Sequence, residues 1–93
     1  MMETFAERVK FAAAKHAANG RAAIAKVYDE YGIHFPDAGP SKTFKARLVE
    51  AAKNRELELG RLDMPECMER ELRERSATTW DRETVHFVVL EWK

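Results

Sequence analysis

The chain has 93 residues, of which 45% are hydrophobic and 34% are charged, and its 16 Lys and Arg residues balance 16 Asp and Glu residues. This composition is too apolar for a disordered chain, and it contains no apolar run long enough to cross a membrane. A chain of this length forms one core with little room for a separate catalytic cleft. We therefore predict a single domain over residues 1–93 that is a binding protein and not an enzyme.

The N-terminus and the cysteine content predict a cytoplasmic protein that makes no contact with a membrane. The segment MMETFAERVK carries acidic residues where a signal peptide would have a positive region and then an apolar run. Cys67 is the only cysteine, so neither an intrachain disulfide nor a cysteine-based zinc site can form. His16, His34 and His86 have no paired spacing on one helix, so we expect no metal and no other cofactor.

Helical periodicity predicts a first helix from Phe5 to about Ala18. Thr4 precedes it and is a suitable N-cap, because its hydroxyl can accept a hydrogen bond from a free amide of the first turn. Asn19-Gly20 is expected to end the helix, since both residues tolerate the left-handed conformation. His16 lies on the apolar stripe, so we predict a hydrogen-bonded histidine in the core.

A second amphipathic helix is predicted to begin near Arg21 and to end at Gly32. Its buried stripe consists of apolar and aromatic residues at helical spacing, which are Ile24, Val27, Tyr28 and Tyr31. Residues 33–40 contain two prolines and a glycine, so we expect a loop before the next helix.

The third helix carries the basic charge of the chain. Ser41 is expected to cap it, Phe44 and Leu48 lie at the centre of its core stripe, and the stripe continues to Leu59 before Gly60 ends it. Against the single acidic Glu50, the segment has five basic residues, which are Lys42, Lys45, Arg47, Lys53 and Arg55. Such a surface would meet a nucleic acid backbone or an acidic protein.

A fourth helix is predicted from Asp63 to about Arg75, in the acidic part of the chain. Residues 56–83 contain nine Asp and Glu residues against five Arg residues. Asp63 would cap this helix, and its inner face would consist of Met64, Cys67, Met68 and Leu72. The acidic side chains that would imitate phosphates toward a basic channel are Glu66, Glu69 and Glu74.

Residues 84–92 change to a pattern typical of a buried β-strand, with β-branched and aromatic residues on both faces. The partner of this strand would be residues 77–80, across a short turn, or residues 33–35. Either partner is shorter than the strand, so we expect an open edge and predict a homodimer through it as one use of that edge. Trp92 is a candidate anchor of an interface. Together these elements predict an α+β fold, mostly α, in which about four helices pack with a C-terminal β-strand or hairpin.

One pattern in the chain is similar to a catalytic signature. Pro36-Asp37 and Glu91-Trp92-Lys93 resemble the carboxylates and lysine of the PD-(D/E)xK nucleases, which hold a divalent ion. The chain is too short for the core sheet of that fold, and the lysine is its last residue. We therefore predict no catalytic residue.

Two classes of function fit these surfaces. In the first, the chain docks on a larger nucleic-acid-handling protein complex and blocks or modulates it through the basic residues of the third helix, through the acidic helix, or through Trp92. In the second, residues 41–55 act as the recognition helix of a helix-turn-helix-like DNA-binding regulator. The connector of about eight residues between these helices is longer than the three or four typical of that motif.

In its length, its alanine-rich helices and its lack of catalytic signatures, the chain resembles the small accessory proteins of bacteriophages and other mobile elements. That group includes anti-CRISPR and other anti-defence inhibitors as well as small regulators. The resemblance extends over the whole chain and implies an inhibitor of a nucleic-acid-handling complex. It assigns no site residues.

Overall fold

The computed structural model describes residues 4–18, 20–62, 68–80 and 82–90. Within these ranges lie four helices and five short strands. The helices are α1 (Phe5–Ala14), α2 (Ile24–His34), α3 (Ser41–Lys53) and α4 (Arg70–Ser76), and the strands are β1 (Arg21–Ala23), β2 (Glu58–Gly60), β3 (Thr78–Trp80), β4 (Glu83–Val85) and β5 (Phe87–Val89). The predicted α+β fold, mostly helical with C-terminal strands, is confirmed.

The first helix begins as its sequence predicts but ends earlier. The Thr4 hydroxyl accepts a hydrogen bond from the Glu7 amide at 3.1 Å, and the Glu7 carboxylate accepts one from the Thr4 amide at 3.3 Å. These two bonds form a capping box. The helix ends at Ala14, where the Lys15 and His16 amides donate hydrogen bonds to the carbonyls three residues before them, Ala12 and Ala13, at 3.2 and 3.0 Å. The chain then turns back at Gly20, which has a φ of 79°. The flanking Ala18 and Arg21 exchange two backbone hydrogen bonds, and the turn leads into β1.

The second helix starts later than predicted, because residues 21–23 form β1 instead. No side chain next to the start of α2 caps it. The Ile24 amide donates a hydrogen bond to the His86 carbonyl at 2.9 Å, and the Ala25 amide donates one to Ser76 Oγ at 2.9 Å. Free amides at the start of this helix are thus satisfied by residues near the end of the chain.

The boundary between α2 and α3 also differs from the sequence-based expectation. α2 continues through Gly32, so the predictions that Gly32 ends it and that residues 33–35 form a strand are wrong. A glycine inside a helix costs only about 1 kcal/mol, which the packing of the buried face of α2 exceeds. α3 begins at Ser41 with Pro40 as its N-cap, and no side chain of the described residues caps it, so Ser41 is not the cap.

The predicted continuation of α3 to Leu59 is wrong, because Leu59 lies in β2. Arg55 follows the helix in the left-handed conformation with a φ of 63°. The Arg55 amide donates a hydrogen bond to the Ala52 carbonyl at 3.0 Å, and the Glu56 amide donates one to the Ala51 carbonyl at 2.9 Å. This pair of hydrogen bonds is a Schellman motif, which ends a helix and reverses the chain.

The C-terminal segment is divided at His86 into β4 and β5. β3 and β4 form a two-stranded antiparallel hairpin, which confirms the predicted pairing of residues 77–80 with this segment. β5 is the central strand of a separate three-stranded antiparallel sheet, in which Val88 lies opposite both Ala22 of β1 and Leu59 of β2. Because β5 has a neighbour on each side, the open edge predicted for residues 84–92 is wrong for residues 87–89. β4 pairs with β3 alone among the described residues, so its other side has no strand partner there. A homodimer would have no free edge on β5.

α4 occupies the second half of the predicted fourth helix. The predicted start of that helix, residues 63–67, lies outside the described residues, and so do Met64 and Cys67 of its inner face. Met68 is buried and Leu72 is half-buried, as the predicted inner face requires.

One cluster of buried residues joins α1, α2, α3 and the three-stranded sheet. Phe44 and Leu48 have no exposed surface, which confirms the centre of the predicted core stripe of α3. The Phe44 ring makes edge-on contacts with the rings of Phe5, Tyr28 and Tyr31, at centroid distances of 5.6, 5.2 and 5.1 Å. This aromatic junction fixes the position of α3 against α1 and α2.

We expect Tyr31→Phe to stabilise the protein by about 1 kcal/mol. Tyr31 has no exposed surface, and its Oη has no hydrogen-bond partner among the described residues, so the hydroxyl loses its water without compensation. Tyr28→Phe is the matched control, because Tyr28 Oη donates a hydrogen bond to the Gly39 carbonyl at 2.6 Å and its loss should cost about 1 kcal/mol. Urea unfolding measures both changes. Equal losses in the two variants would show that the Tyr31 hydroxyl has a partner.

Candidate binding surface

Three of the five predicted cations of the basic segment are exposed. Lys42 and Lys53 lie at the two ends of α3, and Arg55 lies just beyond its last residue. In the part of the chain that the structure describes, these three side chains form no ion pair and no hydrogen bond. We refer to Lys42, Lys53 and Arg55 as the exposed cations.

Two of the exposed cations lie beside an aromatic side chain. Lys53 and Arg55 line a shallow groove together with Ala52 and the half-buried Trp80 of β3. Tryptophan and arginine are the residue types that most often dominate the binding energy of protein interfaces. The sequence placed Trp80 in a hairpin, but no local pattern indicated that this hairpin reaches the end of α3.

Lys45 connects α3 to the segment that leads into β3. Its Nζ donates a hydrogen bond to the Ala77 carbonyl at 2.9 Å, and the side chain is half-buried. Burial lowers the pKa of the Lys45 ammonium group, and the charge of Arg75 lowers it further. Lys45 therefore holds two elements together and is less available to a partner than the exposed cations.

Arg47 also has partners within the fold. Its guanidinium carbon lies 4.1 Å from the centre of the Phe5 ring, and its Nη1 lies 3.8 Å from Asp37 Oδ2 and 3.4 Å from the Asp37 carbonyl oxygen. Asp37 pairs with Arg8 of α1 at 3.4 Å as well. The carboxylate of the nuclease-like Pro36-Asp37 pattern thus joins α1, the loop and α3. The second half of that pattern, residues 91–93, lies outside the described residues.

The described part of the fourth helix has mixed charge. α4 has the sequence RELRERS, with three arginines and two glutamates. Glu74 pairs with Arg70 at 3.2 Å, and Arg75 pairs with Asp29 of α2 at 2.9 Å. Glu69 is exposed, whereas Glu66 lies outside the described residues. Within those residues, the phosphate-like acidic face is interrupted by arginines.

A groove of about 580 Å³ separates α3 from β3. Its helix side is lined by Lys42, Lys45, Ala46 and Val49, and its strand side is lined by residues 77–79. The sequence predicted the helix and the strand separately. Nothing in either segment indicated that they face each other, so Ala46, Val49 and residues 77–79 were not candidate site residues.

Two histidines share one carboxylate between the end of α1 and α2. His16 Nε2 lies 3.0 Å from Glu30 Oε1, and His34 Nε2 lies 2.7 Å from Glu30 Oε2. The hydrogen bonds with His16 and His34 lower the pKa of the Glu30 carboxyl group, and the bond with His16 has the larger effect. His16 is exposed, so its predicted place in the core is wrong, although it is hydrogen-bonded. Over the described ranges, no three His, Cys, Asp or Glu residues are arranged to hold a metal ion.

His86 lies between β4 and β5, and its Nδ1 is buried without a hydrogen-bond partner among the residues described. Burial lowers its pKa below the ordinary 6.5, and the charges of Arg73 and Lys45 lower it further. The imidazole is therefore neutral at neutral pH.

We expect the free energy of unfolding to fall in two stages on acidification. A histidine whose folded-state pKa is lowered favours unfolding once it can be protonated, so His86 should destabilise the fold as the pH drops below 6.5. A carboxyl group whose pKa is lowered stabilises the fold above its unfolded pKa, so the Glu30 contribution should be lost as the pH falls below 4.5. Urea midpoints measured against pH show both stages.

Glu30→Gln separates the two stages of this acid dependence. The variant should be less stable than the unchanged protein at neutral pH. Its free energy of unfolding should no longer show the Glu30 stage below pH 4.5, while the stage that His86 causes remains. Glu50→Gln is the control, because Glu50 is exposed and should leave the whole profile unchanged. If the urea midpoints of Glu30→Gln depended on pH as those of the unchanged protein do, the stage below pH 4.5 would come from other carboxyl groups.

No helix in the described ranges is both long and apolar enough to span a bilayer. Trp92, the predicted interface anchor, lies outside the described residues. Comparisons with protein-family models, with curated proteins and with solved structures find no match to this chain. The chemistry of its own surface is therefore the basis for a function.

Proposed function

We propose that this chain is a small, non-enzymatic binding protein that docks on a larger nucleic-acid-handling protein complex and blocks or modulates it, in the manner of an anti-defence or anti-CRISPR inhibitor. Its contact surface comprises the exposed cations Lys42, Lys53 and Arg55, with Trp80 beside two of them. The length of the chain and its resemblance to phage accessory proteins support this class of function. The charges of these cations, which are unpaired within the described residues, support an acidic contact on the partner.

The conformation of Arg55 is the observation that carries this proposal. Arg55 occupies the left-handed position of a Schellman motif, with a φ of 63°, where glycine is the least costly residue. A side chain with a Cβ atom costs about 1 kcal/mol or more in this conformation. No contact of the exposed guanidinium within the described residues offsets that cost. Strained residues of this kind cluster at functional sites. Arg82 shares this conformation, but Arg55 also lines a groove with Lys53 and Trp80, and the two observations together support a role of Arg55 in binding.

Arg55→Gly tests this proposal, because it removes the cation and relieves the strain together. We expect the free energy of unfolding to rise by about 1 kcal/mol. Docking should nevertheless weaken about tenfold, since the charged contact is lost. Docking is measured as quantitative capture, from a bacterial extract, of the nucleic-acid-handling proteins that the unchanged chain binds. A chain that captures no such protein would contradict the proposal.

Arg82→Gly is the matched control for this experiment. Arg82 is also an exposed arginine in the left-handed conformation, with a φ of 67°, but it lies in the turn between β3 and β4. The variant should gain a similar stability and keep its docking. If both variants lost docking equally, the effect would follow from the net charge, and Arg55 would not be a specific contact.

Direct DNA binding is the alternative function, with α3 as the recognition helix of a helix-turn-helix-like regulator. Residues 35–40 join α2 to α3, which is a shorter connector than the sequence predicted, and Lys42 and Lys53 are exposed at the two ends of α3. Lys45 and Arg47 have partners within the fold, which leaves few cations for phosphates. Electrophoretic mobility of random duplex DNA at two salt concentrations decides the case. A steep salt dependence would favour DNA binding, and no shift at low salt would favour docking on a protein.

A further inference from the structure

The edge of β3 that faces α3 has an unused backbone position. Lys45 reaches the Ala77 carbonyl from α3, so this edge of the strand lies toward the helix. Trp80 lies opposite Glu83, and Thr79 lies opposite Thr84. Backbone groups two residues apart on a strand point to the same edge, so those of Thr79 point to the same edge as the Ala77 carbonyl. In an antiparallel pair, bonded residues alternate with residues whose amide and carbonyl point away from the neighbour. Thr79 is such a residue, and its backbone has no hydrogen-bond partner on the helix side within the described residues.

The groove beside this edge combines positive charge with apolar surface. Lys42 is exposed and unpaired among the residues described, and Ala46 and Val49 present apolar side chains on the helix side. Burial and the neighbouring Arg75 lower the pKa of Lys45, so a carboxylate near its Nζ would offset both effects. The groove therefore suits an extended chain in which acidic and apolar side chains alternate.

We propose that an extended acidic segment of a partner protein binds in this groove and adds to β3 as a third strand of the hairpin sheet. Its backbone bonds to the amide and carbonyl of Thr79, and its carboxylates meet Lys42 and Lys45. Its apolar side chains pack on Ala46 and Val49 of α3. This inference rests on the proposed function and names the part of the partner that the protein recognises.

The probe for this site is a short synthetic peptide that alternates glutamate and valine. Titration into the full chain should shift the Thr79 amide signal in a nuclear magnetic resonance spectrum more than the amide signals of α2. A peptide that alternates lysine and valine should bind at least about tenfold more weakly. No binding of the glutamate peptide, or equal binding of the two peptides, would overturn the proposal.

Methylation of the peptide backbone distinguishes strand addition from simple charge attraction. In an added strand, alternate amides bond to β3 and the others point away. Of two peptides methylated on alternate amide nitrogens in opposite registers, one should lose binding about tenfold or more, and the other should bind like the unmodified peptide. Similar binding of both methylated peptides would overturn strand addition.

Substitutions of exposed lysines test whether the peptide binds in this groove, and they leave the core unchanged. Lys42→Glu should weaken peptide binding about tenfold, while Lys26→Glu, which reverses an exposed lysine on α2, should not change it. A Lys42→Glu variant with unchanged affinity would overturn the assignment.

Arg55→Gly separates this inference from the proposed function. Arg55 does not line the groove, so this variant should keep its affinity for the peptide while docking on the partner weakens. If docking weakens but the peptide never binds, only the strand addition is wrong. If the peptide binds but Arg55→Gly docks normally, only the exposed-cation surface is wrong.

Discussion

Phe44→Ala is expected to lower the free energy of unfolding by about 3 to 5 kcal/mol. Phe44 has no exposed surface, and its ring contacts the rings of Phe5, Tyr28 and Tyr31 from α1 and α2. Truncation removes the apolar burial of the ring and leaves a cavity where three helices meet. Neighbouring aromatic rings are rigid and cannot close such a cavity fully, so the loss should lie at the upper end for a single substitution.

Phe11→Ala is the control for this prediction, since it makes the same substitution on α1. Phe11 is only half-buried and contacts His34 and Phe35 at the surface, so its loss should be about 1 to 2 kcal/mol. Urea unfolding followed by circular dichroism measures both variants. Equal midpoints would mean that the aromatic junction around Phe44 is not the centre of the core. If Phe44→Ala does not fold, Phe44→Leu measures the same junction with a smaller cavity.

Ser76→Ala should lower the free energy of unfolding by about 1 to 3 kcal/mol, although it removes a single oxygen atom. Ser76 has no exposed surface, and its Oγ accepts the hydrogen bond of the Ala25 amide at 2.9 Å. Without this oxygen, a helix-end amide of α2 is buried with no acceptor. An unsatisfied buried donor costs more than the hydrogen bond itself contributes.

Ser41→Ala is the matched control, because the sequence predicted Ser41 and not Ser76 as a helix cap. Ser41 is exposed, and its side chain makes no capping hydrogen bond to α3, so we expect a change of less than about 0.5 kcal/mol. Thermal or urea unfolding compares the two serine variants directly. A larger loss of stability in Ser41→Ala than in Ser76→Ala would indicate that Ser41 caps α3, and it would contradict the role of Ser76 at the start of α2.

Elements whose determinants lie close together in the chain were predictable. Thr4 and Glu7 form their capping box across one helical turn, and Phe44 and Leu48 are spaced so that both face the core. The hairpin of β3 and β4 follows from two short β-rich runs on either side of a turn. In each case the interacting residues are near neighbours in sequence, so a local pattern contains the information.

The candidate site was predictable only as a set of charges. The sequence of residues 41–55 contains five basic side chains and does not distinguish those that are free to bind a partner from those that are not. In the fold, Lys45 bonds to a carbonyl 32 positions away and Arg47 packs on Phe5, while the exposed cations have no partner in the described residues. Which cation stays free depends on what packs next to the helix, and no spacing of residues encodes that neighbour.

The strands β1 and β2 show why distant contacts override local patterns. Residues 21–23 and 58–60 both extend a helical pattern, yet both are strands because β5 offers backbone hydrogen bonds on each of its sides. α2 then begins only at Ile24, where His86 and Ser76 satisfy its free amides. Composition and periodicity thus suffice for the fold class and for the buried face of α3. Helix boundaries, sheet order and the exposure of each cation depend on pairs of residues far apart in the chain, because hydrogen bonding and packing between them outweigh propensities of only about 1 kcal/mol or less per residue.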